Sequence, residues 1–128
     1  MNLKVRVYYE DTDCGGIVYH SNYLKYCERA RSEMFFAINS NPIQNGIGFV
    51  VKNMKIEFLS TAKLGDLLEV NTQLLRIKNA SIELKQAIFL ANKKIFEATI
   101  LLACIDSKTN KPTKIPKWAN EVFQHIGQ

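Results

Sequence analysis

From Tyr8 to His20 the chain reads Tyr8-Tyr9-Glu10-Asp11-Thr12-Asp13-Cys14-Gly15-Gly16-Ile17-Val18-Tyr19-His20, and a helix-like segment follows directly. A carboxylate such as Asp13 can attack an acyl carbon or take a proton from water when its position suits. Gly15 and Gly16 allow backbone amides to come close to a ligand and to take left-handed torsions. The first amides of a helix lack internal partners and carry the positive end of the helix dipole. The region just ahead of this helix therefore suits an anion or a developing oxyanion. An attacking group and a place for the negative charge it creates lie within one short loop.

Several groups in that loop compete for the same work. His20, seven residues after Asp13, could orient water or assist proton transfer through its ring, and its amide is placed to serve an oxyanion. Cys14 offers a rival nucleophile, because a thiol near a helix start and a histidine can be activated. Asp11, Asp13, His20 and Glu28 have the chemistry of metal ligands but not a familiar ligand spacing. Asp and Gly are also ordinary turn residues, so Asp11, Thr12 and Asp13 could do no more than bond loop amides. The chain carries neither a Gly-x-Gly-x-x-Gly fingerprint nor a Walker-type phosphate loop.

The elements around the loop follow from hydrophobic period. Leu3, Val5 and Val7 alternate with Lys4 and Arg6, predicting a first strand over Leu3–Tyr9 that the Asp/Gly cluster breaks. From Ser21 the period becomes helical, with Tyr23, Tyr26, Cys27, Ala30, Met34, Ala37 and Ile38 on one face. Ser21 or Asn22 can cap that helix. Arg29 with Glu33, and Glu28 with Arg31, have pairing spacing on its polar faces. It should end near Asn39–Pro42, since Pro42 disfavours helical geometry in the residue before it. Strands are expected through Met54, Ile56 and Phe58; through Leu68, Val70, Thr72 and Leu74; through Ile82, Leu84, Ile88 and Leu90; and over Ile95–Asp106. A phase slip to Leu75 and Ile77 predicts a bulge. Gln86 falls in an apolar register. Ile100–Ile105 is apolar on both faces, as in a central strand covered on both sides. Turns are expected at Gly65-Asp66, Lys78-Asn79-Ala80 and Asn92-Lys93-Lys94. After Pro112 and Pro116 comes a short helix with Trp118, Val122 and Ile126 on one side. This pattern is α+β, one long helix packed on a strongly curved antiparallel sheet.

The length of 128 residues fits one domain, 1–128. A domain of this size buries roughly two thirds of its unfolded surface, enough for a core without staples. The net charge is +5, of which +3 comes from Ser107–Gln128, where Lys108, Lys111, Lys114 and Lys117 face Glu121 alone. Such a surplus attracts phosphorylated ligands, nucleic acid or anionic lipid without choosing among them. The tail lacks the basic-aromatic motifs of common RNA modules, so no nucleic-acid partner is expected. Cys14, Cys27 and Cys104 do not read as a disulfide framework. With Lys4, Arg6 and Glu10 among the first ten residues no secretory leader is expected, and the longest apolar run, Ile100–Ile105, is too short to span a bilayer. A soluble cytoplasmic protein is the expectation.

The run Tyr9–His20, followed by Asn22-Tyr23 and Glu28-Arg29-Ala30-Arg31, resembles the 4-hydroxybenzoyl-CoA thioesterase family, and within it the Tol–Pal-associated (YbgC-type) acyl-CoA thioesterase branch. The likeness extends to Phe49-Val50-Val51 and to Lys111-Pro112 with Ile115-Pro116. The resemblance implies a hot-dog fold of about five strands around one helix, dimers with active sites at the subunit interface, and tetramers built from them. It implies hydrolysis of acyl-CoA to free acid and CoA without metal or prosthetic group. Asp13 would be nucleophile or general base, the His20 amide the oxyanion donor beside Gly15 and Gly16, and the His20 ring an aid in placing water. Arg76, Lys78 and Ser81 would meet the CoA phosphates. Asp11 becomes structural, and Cys14 stands where relatives carry Ala or Pro, against the thiol route. Pocket length would depend on Tyr23, Phe49 and the partner subunit. The rivals are a non-catalytic module binding acyl-CoA or acyl-carrier protein, an adaptor in an envelope complex, and a small basic nucleic-acid binder.

Overall fold

The computed structural model describes residues 1–126. In chain order the elements are β1 (Asn2–Arg6), a 3₁₀ turn (Tyr9–Asp11), α1 (Asn22–Phe36), β2 (Ile47–Phe58), β3 (Leu67–Ile77), β4 (Ser81–Leu90), β5 (Lys93–Asp106), β6 (Lys111–Pro112) and α2 (Lys117–Ile126). The strands form one antiparallel sheet in the order β1-β3-β4-β5-β2, with the two-residue β6 paired to β5. The hot-dog fold expected from the sequence is the one found, with a sixth short strand added.

Local chemistry explains where elements stop. Asn39 takes a positive φ of 58°, the Asn39 amide donates to Phe36 O, and the Ser40 amide donates to Phe35 O. This is a Schellman closure with Asn in the left-handed position. Asn39, rather than Pro42, therefore ends α1. Ala91 and Asn92 both have positive φ between the paired Leu90 and Lys93, a two-residue hairpin whose twist suits the flanking strands. The slip expected near Leu75 is present, with the β3–β4 register shifting between Leu74 and Arg76. A second shift falls between Val51 and Asn53 on β2.

The sheet curls around α1, whose face Tyr23, Tyr26, Cys27, Ala30, Met34 and Phe35 is buried against Leu68, Val70, Leu74, Ile82, Leu84 and Ile88. Gln86, at the bottom of this core, is fully buried and fully engaged. Its Nε2 donates to Cys27 O at 3.0 Å and to Thr72 Oγ1 at 2.9 Å, and its Oε1 accepts from Arg31 Nη1 at 2.9 Å. A buried amide in an apolar register is tolerable because each end has a partner.

Some expectations need correcting. Ser21 occupies the N-cap position of α1 but makes no side-chain cap bond, and Asn22 Nδ2 donates instead to Asp11 O at 2.8 Å. Among the described residues neither Arg29–Glu33 nor Glu28–Arg31 forms an ion pair; Arg31 turns inward to Gln86. β1 ends at Arg6, and β2 begins at Ile47, six residues ahead of Asn53. In β5 only one face is fully buried: Ile100, Leu102 and Cys104 are covered, whereas Leu101, Ala103 and Ile105 are half-buried. α2 buries Ala119, Val122 and Phe123 most deeply, with Trp118 and Ile126 at the margins of that face.

Candidate active site

The loop from Asp11 to His20 is a miniature hairpin. Thr12 and Val18 pair antiparallel, and the Asp13 amide donates to Ile17 O at 2.9 Å. Gly16 closes the turn, its amide donating to Asp13 O at 3.0 Å with φ at +79°. The Gly15 amide donates to Asp13 Oδ1 at 2.8 Å, which fixes the carboxylate over its own turn. A Cβ on Gly15 would sit 3.3 Å from that same oxygen. Asp13, Cys14 and Gly15 are exposed in the single chain. The Asx-type turn expected of such residues is thus present, and one carboxylate oxygen of Asp13 is left outside it.

The hairpin is pinned to the segment leading into β3. Val18 N donates to Ala62 O, Leu64 N to Gly16 O and Gly65 N to Val7 O, at 2.9, 3.1 and 3.0 Å. The Tyr23 hydroxyl, on the first turn of α1, accepts from the buried Ala62 amide at 3.0 Å. Burial pushes the Tyr23 phenol up, and the Ala62 bond partly offsets this. Loop, helix start and the β3 approach therefore form one braced unit. Residues 60–66 contribute to the site through backbone groups, which residue type does not make legible in the sequence.

His20 stands at the mouth of this unit. Its ring lies 4.4 Å from Tyr19 and 6.4 Å, edge-on, from Phe58, whose ring also meets Tyr23 at 6.1 Å. Among the described residues the His20 amide donates to no protein acceptor, whereas the neighbouring Tyr19 and Asn22 amides donate to Asp11 O and Tyr19 O. A free amide at the start of a helix is what an oxyanion donor needs.

Asp11, by contrast, is tied into the frame. Oδ2 accepts from Tyr8 N at 2.9 Å, and its carbonyl accepts from Tyr19 N and Asn22 Nδ2. Burial first, then the nearby Asp11 carboxylate, push the phenol of Tyr26 well above its ordinary range; among the described residues the Tyr26 hydroxyl approaches Asp11 without completing a well-formed hydrogen bond. Cys14 is exposed; Cys27 is buried, with burial pushing its thiol up to about 12. No cluster of His, Cys, Asp and Glu able to hold a metal ion occurs among the described residues.

Arg76, Lys78 and Ser81 do come together. With Glu83 and Leu101 they line a cavity of about 100 Å³ at the β3–β4 turn. The structure does not bring them to Asp13. The hairpin is braced at the start of β3, and Arg76 lies nine residues farther along it, about 30 Å at strand rise. The same far end of the sheet holds a larger cavity of about 400 Å³ between the second half of α1 and the start of β2. Sequence alone did not reveal it, although Gln86 in an apolar register was a signal of something polar beneath the helix.

A family model described as the thioesterase-like superfamily matches residues 7–123. The chain is 39% identical over 133 residues to an acyl-CoA thioesterase, YbgC, of Helicobacter pylori, covering 97% of this chain and 100% of that one. It is 40% identical over 129 residues to the acyl-CoA thioesterase YbgC of Haemophilus influenzae, covering 98% and 95%. Among solved structures, a probable thioesterase from Bartonella henselae superposes with a TM-score of 0.85 at 32% identity, over 91% of this chain and 98% of that one.

Proposed function

The chain belongs to the thioesterase-like superfamily, and from that premise we propose how it hydrolyses an acyl-CoA thioester to a free acid and CoA. Asp13 acts on the thioester carbon, as nucleophile or as general base for a water. The His20 amide, with the α1 dipole behind it, holds the oxyanion. Gly15 and Gly16 shape the turn that aims the carboxylate, and the His20 ring helps to place water. The observation that carries this reading is the Asp13 carboxylate held by the Gly15 amide at 2.8 Å, in the loop that leads into α1, where the His20 amide, two residues ahead of the helix, meets no protein acceptor among the described residues.

Arg76, Lys78 and Ser81 are assigned to the CoA phosphates. Because they lie at the opposite end of the sheet from Asp13, they serve a given Asp13 from a partner subunit. This favours a homodimer, with a tetramer as its further assembly; an acyl-carrier protein remains a second thioester donor consistent with the same loop. No helix among the described residues is long and apolar enough to cross a membrane. Three free cysteines accord with a reducing, cytoplasmic setting. The link to an envelope complex of Tol–Pal type rests on the family likeness.

The test is thiol release from a panel of acyl-CoAs by wild type, Asp13→Asn and Cys14→Ser. Asparagine keeps an acceptor for the Gly15 amide, so Asp13→Asn removes charge without undoing the turn. It should lower kcat by about 10²–10⁴-fold. Full activity in Asp13→Asn, or loss confined to Cys14→Ser, would overturn the mechanism.

A further inference from the structure

We infer that the cavity beneath the second half of α1 is a binding site for a carboxylate carried on an apolar chain or ring, with the Arg31 guanidinium as its partner. The cavity, about 400 Å³, is walled by Phe35, Phe49, Leu102 and Phe123, and Arg31 enters from the helix side. That volume is within the range of about 300–1,000 Å³ usual for small-molecule sites.

Arg31 is half-buried, and among the described residues no carboxylate lies within 4.0 Å of it. Glu28, the one acid that lines the cavity, is exposed and forms no ion pair with it. Of the guanidinium's five N–H donors, one meets a protein acceptor among the described residues, in the 2.9 Å bond from Nη1 to Gln86 Oε1. Gln86 cannot turn away, because its Nε2 is committed to Cys27 O and Thr72 Oγ1. α1 therefore holds a half-buried cation in a fixed orientation, with most of its donors free of protein acceptors among the described residues, beside aromatic walls. Burial already lowers the arginine pKa, a sign that the charge is held at a cost. A carboxylate accepts the fork of an arginine bidentately and relieves that cost. A bare inorganic anion would leave the aromatic walls unused, and a plain alkyl group would leave the cation unpaired.

Two sources share this chemistry. One is a free carboxylic acid, such as the product of thioester cleavage. The other is the far end of an acyl group bearing a second carboxylate, reaching the cavity from a partner subunit's Asp13 loop. The second source rests on the thioesterase reading; the first does not.

The experiment titrates the full chain with octanoate, octanol and octylamine, and then compares octanoyl-CoA with ω-carboxyoctanoyl-CoA as substrates. Binding is read by fluorescence of the single tryptophan, Trp118, whose ring lies 6.3 Å from Phe35. Octanoate should bind at least about tenfold more tightly than octanol, and Arg31→Met should erase that difference while leaving octanol unchanged. Val51→Phe, at the β2 position paired with Leu102 of the cavity wall, crowds the cavity without adding a second tryptophan and should weaken both. Equal affinity of wild type for octanoate and octanol overturns the site, and that outcome needs no variant to fold. A preference of about tenfold or more for the ω-carboxyacyl thioester, lost in Arg31→Met, identifies the acyl end as the occupant. Equal hydrolysis of both thioesters with octanoate still held by Arg31 identifies the free acid. Octanoate binding with no hydrolysis of any acyl-CoA in the panel would sink the thioesterase reading and leave this site standing.

Discussion

At the residue scale, the two glycines of the loop do different jobs. Gly16 has φ at +79° with nothing near its missing Cβ, so its requirement is backbone conformation. Gly15 has no such torsion, but a Cβ there would press on Asp13 Oδ1 at 3.3 Å. Gly16→Ala should therefore cost about 1–2 kcal/mol of stability from left-handed strain, read by urea denaturation. Gly15→Ala should leave the melt nearly unchanged but displace the carboxylate, lowering kcat/KM by about tenfold or more, since small misplacements of a reacting group are expensive. An unchanged kcat/KM in Gly15→Ala would mean that this turn does not set the position of Asp13. The loop was legible in the sequence as a set of candidates. Asp11 and Asp13 could not be ranked by residue type, since both are carboxylates in the loop that precedes Gly15 and Gly16. They separate in three dimensions, where Asp11 is buried against Tyr8, Tyr19 and Asn22, while Asp13 faces outward from its turn.

At the scale of elements, α1 carries an unusual load on its buried face. Tyr23, Tyr26 and Cys27 all titrate above their ordinary values, chiefly because burial penalises their charged forms. For such groups the protonated form is the one the fold favours. Their contribution to stability is complete below their unfolded pKa values, 9.0 for Cys27 and 10.0 for the tyrosines, and is lost as pH rises through the folded ones. Stability should be level near neutral pH and fall above about pH 9, at up to about 1.4 kcal/mol per pH unit for each deprotonating group. Arg31, whose pKa is lowered, works in the opposite sense, but only in the arginine range. Urea melts across this window should show a shallower alkaline decline in Cys27→Ala than in wild type, at lower stability throughout; an identical slope would refute the assignment. The period of three and four residues made α1 legible, and its apolar face packs as read. What period cannot convey is which polar side chain crosses to another element. Glu28–Arg31 is well spaced along the helix, yet Arg31 pairs with Gln86, fifty-five residues away. For the same reason the first half of β2 was obscure: Phe49-Val50-Val51 does not alternate, and the register shift that accommodates it lies between Val51 and Asn53.

At the scale of the whole molecule, the sheet has unequal edges. β1 is five residues long and carries Lys4 and Arg6, whereas β2 is twelve residues long and belongs to the edge that exposes Val50, Val51 and Phe58. An apolar edge of that length invites a second copy. Antiparallel pairing of two β2 strands about a two-fold axis would set the Phe58 end of one subunit opposite the Ile47 end of the other. Phe58 touches His20 and Tyr23 beside the Asp13 hairpin. The Ile47 end adjoins the α1 cavity and, through Val50 to Ala103 and Ala103 to Ser81, the Arg76–Lys78–Ser81 cluster. Groups separated by the length of a strand within one chain would become neighbours across the pair. That arrangement makes a mixing experiment decisive. Asp13→Asn and the double variant Arg76→Ala/Lys78→Ala should each be weak alone, the first in kcat and the second in KM. Unfolded and refolded together, they would form mixed dimers in which one site joins the intact Asp13 of one subunit to the intact basic cluster of the other. Random re-pairing makes half of the dimers mixed, each with one whole site, so activity should recover to about a quarter of wild type. If Asp13 and its basic cluster served the same site within one chain, no mixture could contain a whole site, and no recovery would follow.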